Sequence, residues 1–121
     1  MKIETINLKE KFSTFNDYWS PKIVGELNKQ LVKVAKFKGE FVMHHHEQED
    51  ELFFVVAGEL FIELEDKTLS LHAGEFVVVP KGVKHKPYAP EEVHVMLFEP
   101  ASTLNTGNIE NDRTVVDLEK L

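Results

Sequence analysis

The sequence predicts an all-β fold, a sandwich or barrel built from short strands. β-branched and aromatic residues occur in short apolar runs that are separated by Gly, Pro, Asn and Asp. These turn residues recur at a spacing of about 8–12 residues, and a helical period is almost absent. Many short strands at such spacing are typical of β-sandwiches and barrels.

Composition limits the classes of function. The 121 residues are enough for one domain, and 42% of them are hydrophobic, which is compatible with a real core. The absence of cysteine excludes disulfides, thiolate catalysis and cysteine-ligated metal sites. A net charge of −7, from 14 basic and 21 acidic side chains, disfavours nucleic acid and anionic membrane as partners.

Targeting signals are also missing from the pattern. No apolar run approaches the ~20 residues that a membrane helix needs. The N-terminal residues lack the apolar core of a signal peptide and carry acidic groups early. We therefore expect a cytoplasmic protein with no membrane partner.

The first residues give a mixed signal. Ile3, Ile6 and Leu8 could form a short strand, and residues 8–15 a turn of helix. The loop that follows contains Trp19, the only tryptophan. An aromatic side chain in such a loop either plugs the end of a barrel or lines a pocket.

The first two clear strands are residues 22–27 and 30–37, joined near Asn28. The second does not alternate cleanly, and it carries two lysines, with a third just after its end. Because edge strands commonly use lysine to prevent stray pairing, we expect this strand to be partly exposed. The lysines are Lys33, Lys36 and Lys38.

The central strands follow from apolar runs and alternation. Residues 41–46 are predicted to form a strand, and the unbroken run 52–56 to be buried on both faces. Residues 57–59 read as a hairpin turn, after which the segments 60–65 and 68–71 alternate. Their inward side chains would be Leu60, Ile62, Leu64, Leu69 and Leu71.

The last strands are residues 76–79, an edge segment at 85–88, and a long strand at 93–98. Pro80 and Gly82 suit the second and last positions of a type I turn, and Pro87 suits an edge. In the tail, residues 105–108 read as a turn, and residues 115–121 as a final strand or packed segment. Since the runs 52–56 and 76–79 have two apolar faces, we expect a homodimer.

Three histidines in a row suggest a metal site. His44 and His46 are two residues apart, so on a strand they leave from the same face, whereas His45 leaves from the other. A turn or bulge after residue 46 could return Glu51 to that face at the start of the next strand. His85 follows the Pro80 turn as a fourth candidate ligand.

This ligand set narrows the chemistry. Imidazole suits zinc, copper, iron and nickel, while carboxylate draws the site toward harder ions such as manganese. Four protein ligands leave one or two positions open if the ion takes five or six in all, as a chemically active site requires. His72 and His94 have no such partners in sequence and are assigned structural or exposed roles.

These residues resemble the paired motifs of the cupin superfamily. The first motif is matched by Gly39, His44, His46, Glu51 and Gly58, and the second by Gly74, Pro80, Gly82 and His85. The spacer from Gly39 to His44 is four residues where the family usually has five, and Ala89 replaces a common asparagine. The Asn105–Asn108 tail tetrad extends the resemblance to nearly the whole chain.

The resemblance implies a cupin double-stranded β-helix, or jelly-roll barrel, forming a single domain over residues 1–121. Its core barrel would span about residues 22–99, with an N-terminal arm at 1–21 and a tail at 100–121. It also implies one divalent transition metal, Mn, Fe, Ni, Co or Zn, at His44, His46, Glu51 and His85.

The reaction is left open by the sequence. The first hypothesis is a metal-dependent enzyme acting on a small oxygen-rich ligand, sugar-like or a hydroxy acid. The alternatives are a non-haem iron dioxygenase and a non-catalytic binding or sensor module. Small cupins of this kind are often labelled mannose-6-phosphate isomerase-like, but this chain has no Gly-rich phosphate cradle and its only arginine is Arg113.

Two further groups of residues lie near the proposed ligands in sequence. Tyr88, His94 and Glu99 are candidates for a general acid or base by proximity in sequence alone, and none is assigned that role. Lys81, Lys84 and Lys86 flank His85 and could form a positive rim or simply a solvated turn.

Overall fold

The computed structural model describes residues 3–121 and consists almost entirely of antiparallel β-structure. One short helix, α1 (Leu8–Phe12), precedes the strands, and Asn7 caps it by accepting a hydrogen bond from the Glu10 amide. The strands are β1 (Lys22–Leu27), β2 (Gln30–Glu40), β3 (Glu51–Ala57), β4 (Glu59–Glu63), β5 (Thr68–His72), β6 (Phe76–Val79) and β7 (Lys86–Pro100).

The strands form the jelly-roll sandwich that the sequence predicts. The pairing order is β1-β2-β7-β3-β6, and β4 pairs with both β7 and β5. Strand β7 pairs with β2 along one edge, and along its other edge its second half pairs with β3 and its first half with β4. The interior is filled by inward side chains of these strands, among them Phe37, Phe53, Val55, Leu60, Ile62, Leu71, Val95 and Leu97.

The position of β7 corrects two predictions. Residues 57–59 do not form a hairpin, since β3 and β4 pair with β7 and not with each other, and Gly58 bends the chain between them at φ 93°. Residues 85–88 are not an edge either. Pro87 lies within β7 opposite Ile62, and its carbonyl accepts a hydrogen bond from the Phe41 amide at 3.0 Å.

Residues 33–37 of β2 are buried on both faces, so the prediction of partial exposure is wrong for Lys33 and Lys36. Lys33 is 1% exposed and Lys36 is 7% exposed, while Lys38 alone is exposed. β2 lies between β1 and β7, and the segment before β1 covers its outer face with Phe12 and Phe15. Lys36 donates to the Phe15 carbonyl at 2.7 Å, which satisfies the buried ammonium.

Several local predictions need smaller corrections. Among the described residues no strand precedes α1, and residues 41–46 form an irregular segment whose only pairing is a bridge between His44 and His85. The Pro80 turn begins one residue later than predicted, because the Val83 amide donates to the Pro80 carbonyl. Gly82 at φ 83° then holds the third position, as a type II turn requires.

The outer face of β3 and β6 is apolar and is only partly covered by residues 3–121. Phe76 is 60% exposed and Val78 is 47% exposed, and they pair in register with Phe54 and Leu52. The prediction that both faces of these strands are buried therefore does not hold within one chain. No helix among residues 3–121 is long and apolar enough to cross a membrane.

Candidate metal centre

The structure brings together the four residues that the sequence proposes as ligands. His44 and His46 come from the irregular segment after β2, Glu51 is the first residue of β3, and His85 immediately precedes β7. All four are buried, with no more than 4% exposure each. One ligand atom from each lies within 4.8 Å of the other three.

Backbone pairing positions the histidines in place of the predicted strand. The His44 amide donates to the His85 carbonyl at 3.0 Å, and the His85 amide donates to the His44 carbonyl at 2.8 Å. The Gly82 amide donates to the His46 carbonyl at 2.7 Å, which ties the type II turn to the first motif. This reciprocal bridge explains why the two motifs meet.

Hydrogen bonds also select the ring nitrogen that faces the cluster. Nδ1 of His44 lies 2.9 Å from the Val42 carbonyl, and Nδ1 of His85 lies 2.9 Å from the Val83 carbonyl. A carbonyl only accepts, so each Nδ1 carries the proton and each Nε2 presents a lone pair. The residues are thus arranged as metal-binding histidines usually are.

The convergence of unsatisfied polar atoms fits a cation. His46 Nε2 and His85 Nε2 lie 3.3 and 3.4 Å from the same carboxylate oxygen, Glu51 Oε1. These three buried atoms have no hydrogen-bond partner of acceptable geometry among the described residues. Ligands about 2.0–2.2 Å from one ion lie up to about 4.4 Å apart, so a contraction of a few tenths of an ångström would complete a site.

The protonation states also suit metal binding. Burial, aided by the neighbouring His85, lowers the pKa of His44 from 6.5 to about 4. Burial would raise the pKa of Glu51, but the neighbouring Glu99 carboxyl and the His46 and His85 rings hold that pKa well below its ordinary value. Neutral imidazole and ionised carboxylate are the states that bind a metal. A buried His/His/Glu/His cluster of this kind could hold one.

A buried ion pair lies behind the cluster, and sequence reasoning missed it. Lys33 Nζ donates to Glu99 Oε1 at 2.7 Å, and each side chain is 2% exposed. Burial and the adjacent Glu51 carboxylate raise the pKa of Glu99 well above its ordinary value, although Lys33 acts in the opposite direction. The pKa values of the two carboxyl groups are thus shifted in opposite directions, which favours an ionised Glu51.

A small cavity of about 30 Å³ adjoins the cluster. That volume holds about two or three water molecules. His44, Glu51, Glu99 and Asn105 contribute its polar surface. The remaining walls are apolar and largely aromatic, formed by Trp19, Pro21, Phe37, Phe41, Phe53, Pro87 and Leu97.

Trp19 fulfils both roles that the sequence allowed. It is 8% exposed and stacks on Phe37 and Phe41 at centroid distances of 4.2 and 4.8 Å, which closes one end of the barrel. It also lines the cavity. Its indole nitrogen donates to the Lys38 carbonyl at 2.9 Å and fixes the ring.

The tail turn predicted at residues 105–108 packs directly on the first motif. The Asn108 amide donates to the His45 carbonyl, and the His45 amide donates to Asn108 Oδ1, each at 2.9 Å. Gly107 lies so close that a Cβ there would collide with the His45 carbonyl oxygen and reach within 2.9 Å of the His44 ring. The tetrad thus supports a ligand-bearing segment from outside the barrel.

The other histidines stay outside the cluster, as predicted. His45 lies 3.7 Å from Glu47, and exposed His72 lies 3.1 Å from Glu59. His94 stacks on Phe12 and is 2.8 Å from Glu92.

Of the acid–base candidates, only Glu99 lines the cavity. Tyr88 stacks on Phe61 instead. The lysine rim is absent from the cavity walls too, and Lys86 pairs with Glu40 at 2.7 Å.

Comparison with known proteins agrees with this architecture. The model of the family described as Cupin_2, a cupin domain, matches residues 30–99. A crystallised cupin-2 domain containing protein from Shewanella frigidimarina NCIMB 400 is 48% identical, with a TM-score of 0.78 over 78% of this chain and 93% of that one.

Two curated relatives match shorter stretches. The uncharacterized protein YdbB of Bacillus subtilis (strain 168) is 40% identical over 80 residues, 65% of either chain. Acireductone dioxygenase of Sulfurihydrogenibium sp. (strain YO3AOP1) is 45% identical over 56 residues, 43% of this chain. The chain thus spans 65% and 29% of the lengths of these relatives.

The reciprocal bridge between the two motifs, the jelly-roll strand order and the match over residues 30–99 agree with one another. The chain belongs to the cupin family, as a small cupin-2 domain protein.

Proposed function

We propose that the protein binds one divalent transition metal through His44, His46, Glu51 and His85 and uses it to hold a small ligand. The observation that carries this proposal is the convergence of buried, unpartnered ligand atoms within 4.8 Å. Native proteins rarely leave buried polar atoms unpaired, so such a group calls for an ion. Candidate ions are Mn, Fe, Co, Ni and Zn.

A bound divalent ion would supply Lewis acidity and would lower the pKa of coordinated water or of a chelated ligand. The chain's own residues would orient the ligand. Trp19, Phe41 and Phe53 give the cavity apolar walls that exclude bulk water, while Glu99 adds a carboxyl group whose pKa is raised. The proposed reaction class is metal-dependent chemistry on a small oxygen-rich chelating ligand, such as a hydroxy acid.

The cavity argues against a sugar phosphate inside the barrel. None of its lining residues is lysine or arginine, and its volume is about 30 Å³. A phosphate group needs basic side chains or a cradle of backbone amides. A mannose-6-phosphate isomerase-like activity therefore gains no support from the cavity walls.

A second candidate function is non-haem iron oxygenation. The match to acireductone dioxygenase covers 43% of this chain, and an apolar cavity beside a cluster of histidines and a glutamate would suit dioxygen. Oxygen uptake with ferrous protein and a catechol or diketone would support this candidate. Tight ligand binding without turnover would instead indicate a sensor or carrier.

Two neighbouring histidines provide a matched test of the metal proposal. Metal content of tag-free protein should approach one ion per chain, and His46→Gln should reduce it strongly, since His46 belongs to the cluster. The control His45→Gln should retain the metal, because His45 lies outside the cluster. A content near zero that added Mn, Fe, Co, Ni or Zn does not raise would refute the proposal.

We also propose a cytoplasmic homodimer of single-domain chains. The apolar outer face of β3 and β6, with Phe76 and Val78 exposed, would be covered by the second copy. The domain would comprise the barrel at about 22–99, the arm at 1–21 and the tail at 100–121. Sedimentation of a monomer at high concentration would contradict the dimer.

A further inference from the structure

Arg113, the only arginine, lies above the aromatic wall of the metal cavity. Its guanidinium carbon is 5.8 Å from the Phe41 ring centroid and 6.0 Å from that of Trp19, and both rings line the cavity. The Phe41 centroid lies 5.5 Å from that of His44. The guanidinium is therefore at most about 11 Å from the His44 imidazole.

A residue of the cavity wall holds the backbone of Arg113 in place. Asn105 lines the cavity, and its Nδ2 donates to the Arg113 carbonyl at 2.8 Å. Asn105 Oδ1 accepts from the Val115 amide at 2.8 Å, and the Arg113 amide donates to Asn111 Oδ1 at 2.8 Å. These bonds hold the backbone of Arg113 beside Asn105, a residue of the cavity wall, while the exposed Arg113 side chain lies outside that wall.

The guanidinium lacks a carboxylate partner among the described residues. No ion pair within 4.0 Å involves Arg113, although the chain carries 21 acidic residues and a net charge of −7. A guanidinium that lies over aromatic rings can still donate in parallel to two oxygens of one anion.

We propose that Arg113 is an anion-binding residue at the cavity mouth. It would hold an anionic oxygen group, carboxylate or phosphate, at the far end of a ligand whose other end reaches the metal. The inference rests on the proposed metal function and narrows its ligand class to small chelators with a second anionic group. A 2-hydroxy dicarboxylate is the simplest example.

The test uses the full-length protein loaded with Co²⁺, whose visible absorption reports ligands at the metal. Malate is compared with its C4 amide, which keeps the chelating 2-hydroxy acid and removes the distal charge. We expect wild-type protein to bind malate about tenfold more tightly than the amide, as the loss of one charge-assisted hydrogen-bonded contact predicts.

Three variants separate the role of Arg113 from general charge. Arg113→Gln should abolish the preference for malate while leaving the affinity for Co²⁺ unchanged, and Arg113→Lys should retain part of it. Lys67→Gln removes one exposed charge in the turn between β4 and β5 and should change neither quantity. The affinity ratio of glycerate 3-phosphate to glycerate is then compared with the ratio of malate to its amide. A larger ratio for the phosphate pair would identify phosphate as the preferred anion.

The outcomes distinguish the two proposals. Equal binding of charged and neutral ligands by Co²⁺-loaded wild-type protein would overturn the role of Arg113 and leave the metal site intact. A preference that survives in Arg113→Gln would do the same. Failure of the wild-type protein to bind Co²⁺ would refute the metal function and this inference with it.

Discussion

Replacing Gly107 by alanine tests whether the tail supports the metal site. In the structure a Cβ at this position would overlap the His45 carbonyl oxygen and approach the His44 ring to 2.9 Å. The oxygen belongs to backbone that also accepts from the Asn108 amide, so it cannot simply rotate away. Either the tail or the segment carrying His44 must shift.

The cost has two parts. Gly107 has φ 58°, and an alanine in this left-handed region costs about 1 kcal/mol or more. Overpacking a close contact adds about 1–3 kcal/mol. We therefore expect Gly107→Ala to lower the free energy of unfolding by about 2–4 kcal/mol and to weaken metal binding through the displaced His44 ring.

Gly74→Ala is the matched control. Gly74 also has a positive φ, 88°, but no heavy atom lies within 4 Å of its would-be Cβ. Gly74→Ala should therefore lose only the stability that the left-handed backbone conformation costs, and it should bind metal normally. Urea unfolding of the metal-free proteins and calorimetric titration with Co²⁺ measure both effects. If the two variants are equally stable and bind Co²⁺ equally well, the tail does not support the site.

Three further predictions concern the buried pair, the titration of a ligand and the outer face. Lys33→Met should destabilise the protein by about 3 kcal/mol, because it leaves Glu99 without its buried partner. Urea unfolding should show that replacing Glu99 by leucine as well restores most of this stability, whereas additive losses would contradict the pairing. Burial lowers the pKa of His44 to about 4, so between about pH 6.5 and pH 4 the unfolded chain binds a proton that the folded chain does not. The free energy of unfolding of the metal-free protein should therefore fall by about 3 kcal/mol from pH 6.5 to pH 4. Denaturant titrations should show that His44→Gln removes this slope. Phe76→Lys, at a side chain that is 60% exposed, should leave the fold intact but yield a monomer in sedimentation velocity; an unchanged dimer would place the interface elsewhere.

Local patterns were sufficient for most of the strands. Alternation in residues 60–65 identified the buried Leu60 and Ile62, and turn residues located the ends of β1, β5 and β6. The prediction failed for β3 and β4, which look like a hairpin around Gly58. Both strands pair with the long β7 instead, and the residues near Gly58 carry no local pattern that predicts this long-range pairing.

The lysines of β2 are a second case in which the local sequence did not predict the structure. Lys33 and Lys36 read as edge lysines, because lysine is almost never fully buried without a partner. Their partners are Glu99 and the Phe15 carbonyl, which lie 66 and 21 residues away in sequence. Only the folded chain brings those groups within reach, so the burial of the two lysines could not be predicted from the local pattern.

The alternation and turn residues specified a β-sandwich or barrel, because such patterns act over short distances, and the resemblance to the paired cupin motifs pointed to the jelly-roll class and the four clustered residues. Folding in three dimensions set the surroundings of those residues. It placed a carboxyl–ammonium pair behind Glu51, an aromatic wall beside His44 and a tail turn over His45. Each of these depends on contacts between distant segments, and contacts of that kind arise from packing and not from local sequence preference.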